Sequence, residues 1–197
     1  MTLYHLLQVK DGNSNNVRSA ISTIQDVLAP MAADEDQESY GIFTGVFGLA
    51  TNELYWITTG SGDTSLLAQG ARESGLHVQV ALDLVPTVRP TEHSPRNKSG
   101  IYVFRWFDVL NKDVDEIAKL SEQAWVTFEG DFDSQIQGLF ALKDRDDEKG
   151  KMLLLTWYKN LTVWQDSRAP SDEARNLFIK RHELTIEALP IATRLLT

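Results

Sequence analysis

The chain has 197 residues, 42% of them hydrophobic, with no cysteine and a formal net charge of −9. That composition is enough for a sizeable core and excludes disulfides, a thiolate nucleophile and zinc–sulfur chemistry. The acidic balance argues against nucleic acid or an anionic membrane surface as partner, since both call for clustered Lys and Arg, and no apolar run reaches the length of a membrane-spanning helix.

The opening MTLYHLLQVKDG has no basic segment followed by a long apolar one, so no signal peptide is expected, and the absence of cysteine suits the expectation of a cytoplasmic protein. Leu3 to Val9 reads as a strand stopped by the turn pair Asp11-Gly12. Val17, Ala20, Ile21, Ile24, Val27, Leu28 and Met31 then recur at spacings of three and four, one apolar stripe of a helix ending near Pro30. Residues 40–50 and 53–59 are two strands across a tight turn at Thr51-Asn52, and Thr64 to Glu73 is a short helix. The stretch between them, Gly60-Ser61-Gly62-Asp63, is a turn and lacks the further glycines and Lys of a phosphate loop. Leu76 to Val88 alternates as a strand, with Leu76, Val78, Val80, Leu82 and Leu84 on one face and His77, Gln79, Ala81 and Asp83 on the other. The order is β-α-β-β-α-β, a ferredoxin-like unit over residues 1–89.

Residues 90–99 are polar, proline-bearing and aperiodic, the expected linker. A second unit over 100–197 then repeats the pattern. Ile101 to Phe107 is a strand, and Val114, Ile117, Ala118, Ser121, Ala124, Trp125 and Phe128 form a stripe, each 97 residues after its counterpart in the first. TGVFGL at 44–49 returns as QGLFAL at 137–142, which makes Thr44 the expected mate of Gln137. Ser134 to Leu142 and Lys151 to Tyr158 are strands, Pro170-Ser171 opens a long helix to about Leu189, and 191–196 is a short closing strand. The fold class is therefore α+β, two tandem ferredoxin-like repeats. Their open sheet faces should pack together as an α/β barrel within one chain.

Two arginines fall on apolar surfaces. Arg105 shares a strand face with Ile101, Val103 and Phe107, which the alternation assigns to the space between the sheets. There it is expected to meet the polar side of the fourth strand, His77, Gln79 and Asp83, with Gln137 nearby. The alternatives are a salt bridge from Arg105 to Asp83 and a ligand anion. Arg181 lies mid-stripe on the last helix, either snorkelling or clamping an anion. Trp157 alternates with Leu153 and Leu155 and is a candidate to stack on a flat ligand. The four histidines show no metal-ligand spacing, and neither metal nor cofactor is expected.

Phe104-Arg105 on the opening strand, the Gly138 strand, LLLTWYKNL at 153–161, Trp164-Gln165-Asp166-Ser167-Arg168 and the closing helix make residues 102–196 resemble the NIPSNAP domain. The resemblance implies the dimeric α/β-barrel superfamily and leaves the activity undefined. On that basis the chain reads as a small-molecule-binding α/β-barrel protein, with room for a ligand in the barrel interior and for self-association as a homo-oligomer. The superfamily also holds cofactor-free monooxygenases and haem oxidoreductases, which form the alternative. For haem, His77 or His182 is the expected axial ligand with Arg105 opposite.

Overall fold

The computed structural model describes residues 2–197. Contacts divide the chain into two compact units, one of residues 1–85, 92–98 and 193–197, the other of 86–91 and 99–192. Each is α+β and ferredoxin-like, the tandem arrangement that the repeated pattern predicts.

In the first unit β1 (Leu3–Asp11), β2 (Gln37–Phe47), β3 (Glu53–Gly60) and β4 (Leu76–Pro86) lie in the order β4-β1-β3-β2. The first stripe forms α1 (Arg18–Thr23), which passes through a π turn (Ile24–Leu28) into α2 (Ala29–Asp34). The helical path thus continues past Pro30 instead of stopping there. Proline sits in the first turn of α2, where its missing N–H matters least. The π turn also moves Val27 off the stripe, leaving it 44% exposed. With α3 (Ser65–Glu73), these helices cover one sheet face and enclose Leu7, Val9, Ile24, Leu28, Leu54 and Trp56 in an apolar core.

A bulge between Gln8 and Val9 of β1 opposes Gln79 of β4 and breaks the expected alternation. Leu76, Val78 and Ala81 join the helix-covered core, and Asp83 pairs with His5 on that face. His77 and Asp83 therefore do not share the single polar face that unbroken alternation assigns to them.

In the second unit β5 (Ile101–Leu110), β6 (Ser134–Leu142), β7 (Lys149–Tyr158) and β8 (Thr185–Leu195) follow the order β8-β5-β7-β6. Helices α4 (Val114–Asp131) and α6 (Asp172–Glu183) cover one face, and a short α5 (Leu161–Asp166), capped by Asn160, precedes α6. The last helix ends six residues earlier than its apolar spacing predicts, because Thr185 begins an eleven-residue strand. Pro190 disfavours helix at Leu189, and β-branched Thr185, Ile186, Ile191 and Thr193 suit a pleated surface.

The repeat register differs from the TGVFGL/QGLFAL echo. Each unit has a bulge in its second strand, at Tyr40 opposite Thr58 and Ile57 and at Gln137 opposite Thr156 and Leu155. Tyr40-Gly41-Ile42-Phe43 thus matches Gln137-Gly138-Leu139-Phe140, at the 97-residue spacing of the helices. In both copies the glycine leaves room for the phenylalanine ring two residues on. By the same registers His5, Leu7 and Trp56 correspond to Val103, Arg105 and Leu154.

Candidate functional site

The second unit is hollow where the first is filled. A cavity of ≈300 Å³ opens between the sheet and its covering helices. Val103 and Arg105 of β5, Ile136 of β6 and Leu154, Thr156 and Tyr158 of β7 form its sheet wall. Trp125 and Phe128 of α4 and Phe178 and Arg181 of α6 form the helix wall, with Ser167, Arg168, Arg175 and His182 at the rim. This corrects the strand reading: the face that carries Val103, Arg105 and Phe107 is the helix-covered one. Gly138 and Phe140, expected against the helices, lie on the opposite face, with Gly138 against Pro90.

Arg105 and Arg181 are the two cations at the centre. Arg181 is 6% exposed, and its Nη1 donates to Ser121 Oγ at 3.4 Å. Its guanidinium lies 4.7 Å from the centre of the Phe178 ring and 5.0 Å from that of Phe107. No carboxylate lies within 4 Å of Arg105 or Arg181 among the described residues. Burial, and then the charge of Arg105, push Arg181 down to about 9. Arg105 is lowered as well, first by burial, while burial raises Tyr158 against the opposing pull of Arg105.

The rest of the unit shows how this chain treats an arginine whose role is structural. Arg89 Nη1 contacts both Glu129 oxygens at 2.8 Å and stacks over Trp125 at 5.1 Å, and Glu129 also accepts from Ile136 N. A buried cation without such a partner is costly. The cavity holds two of them, together with the buried Trp125 Nε1, which has no acceptor.

The residues singled out from sequence are divided. Arg105 and Arg181 meet in the cavity. Gln137 sits at the β6 bulge, its Nε2 donating to Gln135 O. Trp157 points from the other sheet face, its Nε1 donating to Ser99 O at 2.9 Å, and Gly100 (φ 147°) leaves space for its ring. In the first unit, Asp83 Oδ1 accepts from His5 Nδ1 at 2.7 Å and from Thr64 N at 2.9 Å, a lock on the start of α3. His77 is exposed, its ring against Gly12. Tyr158, Trp125, Thr156 and Arg168 are the site residues that sequence reasoning missed. The available signal was Ser121, a hydroxyl where the first unit's stripe has Ile24.

The residues that line this cavity do not fit a haem. The cavity is at the lower limit for pockets that take drug-sized ligands. Its one histidine, His182, is exposed at the rim, with Nδ1 3.4 Å from Thr185 Oγ1.

No protein-family profile matches the chain. No curated protein matches it in sequence. Solved structures do match in fold. A mutant chlorite dismutase from Candidatus Nitrospira defluvii superposes with a TM-score of 0.66 at 9% identity, covering 100% of this chain and 92% of its own. A haem-binding protein from Thermus thermophilus gives 0.58 at 16%, covering 100% and 91%. An anthrone oxidase-like protein gives 0.63 at 10%, covering 99% and 92%. At these identities the likeness shows a fold, that of the dimeric α+β barrel proteins.

Proposed function

We propose that the second unit binds a small organic anion with an apolar body, in keeping with a small-molecule-binding protein of NIPSNAP-like kind. The observation that carries this is the pair of the half-buried Arg105 and the buried Arg181, in one cavity without a carboxylate, in a unit whose Arg89 has one. An acid entering past Arg168 brings the missing negative charge. The guanidinium groups bind its oxygens through charge-assisted hydrogen bonds, and Val103, Phe128, Ile136, Leu154 and Phe178 exclude water from its body. Melting curves with benzoate, benzylamine and benzyl alcohol test the reading. Benzoate should raise the melting temperature of the parent protein and leave an Arg105→Leu variant unmoved. Equal shifts from benzoate and benzylamine would remove the claim that charge selects the ligand.

The same pair favours a second reading, cofactor-free oxygenation of a phenol. Two guanidinium groups stabilise a phenolate, the form of a phenol that reacts with oxygen. Oxygen uptake with a panel of phenols checks it, and uptake no greater than that of the Arg105→Leu variant eliminates it.

A further inference from the structure

The cavity is lined by four arginines and by a set of apolar side chains, and this asymmetry of charge constrains the ligand beyond its sign. Arg105, Arg181 and Tyr158 lie close enough to act on one another electrostatically, and the exposed Arg168 lines the same cavity with no carboxylate within 4 Å among the described residues. Arg168 stacks over Trp164 at 5.9 Å, and Arg175 reaches Asp172 at 3.9 Å. Val103, Phe128, Ile136, Leu154 and Phe178 supply no second polar end. Two neighbouring hydroxyl hydrogens are already engaged, Ser121 Oγ donating to Ile117 O and Ser167 Oγ to Trp164 O, both at 2.7 Å. What remains to meet a ligand head is an excess of guanidinium donors.

From this asymmetry we infer that the ligand is a phosphate monoester or phosphonate with a small apolar body, bound as the dianion by Arg105 and Arg181. The inference rests on the anion-binding reading above and narrows it. A carboxylate carries one charge and leaves one of the two buried cations uncompensated. A dicarboxylate carries two, but spread over two groups, so a single head brings only one charge to the pair. A phosphate head concentrates about −1.5 to −2 charges and three acceptor oxygens at one point, and arginine matches that geometry in bidentate fashion. The groups facing the head are Arg105 from β5, Tyr158 from β7, Arg181 and His182 from α6, and Arg168 from the segment before α6. Arg89 and Glu129 are paired with each other, outside this set.

Phenyl phosphate and phenyl sulfate have nearly the same shape and differ by one charge, so their affinities measured by calorimetry isolate the inference. At pH 7.5 phenyl phosphate should bind at least about tenfold tighter. At pH 5 only about a tenth of it is dianionic, given a second pKa of about 6, and the preference should collapse toward unity. Arg181→Leu should reduce the pH 7.5 preference to below about threefold while phenyl sulfate still binds. Equal affinities at pH 7.5 would overturn the dianion while leaving the anion reading intact. If neither ester nor benzoate binds at millimolar concentration, both fall.

Discussion

The two units follow one pattern, and they differ in the layer between sheet and helices, where the second has its cavity. Between sheet and helices the first unit puts Leu7 and Trp56, with Trp56 Nε1 donating to Ser39 Oγ at 3.0 Å. At the corresponding positions the second puts Arg105 and Leu154. Leu154 in place of Trp56 makes room beside β7, although Trp125 stands on the helix where the first unit has Leu28, and the guanidinium gives that room a charge. Ser121 in place of Ile24 supplies Arg181 with a hydrogen-bond acceptor. The same fold thus yields a solid core in one copy and a charged cavity in the other.

The largest expected effect is on stability in the filled unit. Trp56→Ala removes a side chain that is 1% exposed, and should cost roughly 3–5 kcal/mol. Leu154→Ala, at the matched position, borders existing space and should cost about 2 kcal/mol, the low end for such a truncation. Chemical denaturation of the two variants checks this. Equal losses would mean that the cavity wall is packed as tightly as the core.

Next comes the charge. Replacing Arg181 or Arg105 with Leu makes the second unit more like the first and removes an uncompensated buried cation. Each should stabilise the unliganded protein by roughly 1–4 kcal/mol, raising its melting temperature by about 2–4 °C for each kcal/mol. Anion binding should be lost or weakened in the same variants. A destabilised Arg105→Leu would instead show that its guanidinium serves the fold.

The sign of the pH dependence follows. Arg181 in the folded protein holds its proton only up to about 9, well below the value at which an arginine in the unfolded chain releases it. Between those values the unfolded chain binds more protons, so this group's contribution to stability rises with pH. The advantage of Arg181→Leu over the parent should be greatest near pH 7–8 and should shrink above pH 9. Melts of both proteins across pH 7–10 show whether it does.

How far these differences could be read beforehand depends on the element. The helical stripes and the 97-residue spacing were legible because helical periodicity survives substitution, Ser121 for Ile24 included. Strand faces were not, because single bulges at Gln79 and Gln137 reverse the alternation and leave no mark in composition. That is why Asp83, which in fact holds His5, was expected as the partner of Arg105. On β5 the alternation is unbroken, but Tyr102, Phe104 and Trp106 make its other face apolar as well, so the face that the helices cover could not be read. TGVFGL drew attention because Gly45 and Phe47 copy the spacing of Gly41 and Phe43 four residues on. Arg181 was identifiable from its stripe alone. Tyr158 and Arg168 needed the three-dimensional arrangement.

The smallest expected effect is that of Tyr158→Phe. It removes one hydroxyl from a cavity whose cations remain, and should weaken anion binding by about 0.5–1.5 kcal/mol. A larger loss, measured by calorimetry, would shift the main polar contact from the arginines to the tyrosine.

The central claim is that the second unit's cavity takes the anion and the first unit's core does not. The chain carries a reporter for each in its tryptophan indoles: Trp125 lines the cavity with Nε1 unpaired, and Trp56 fills the core with Nε1 bound to Ser39. Nitrogen–proton correlation spectra of the indole groups during a benzoate titration read both at once. The account predicts a saturable shift of the Trp125 signal, abolished in Arg105→Leu, with Trp56 unmoved. A shift of Trp56 with Trp125 unmoved would contradict it.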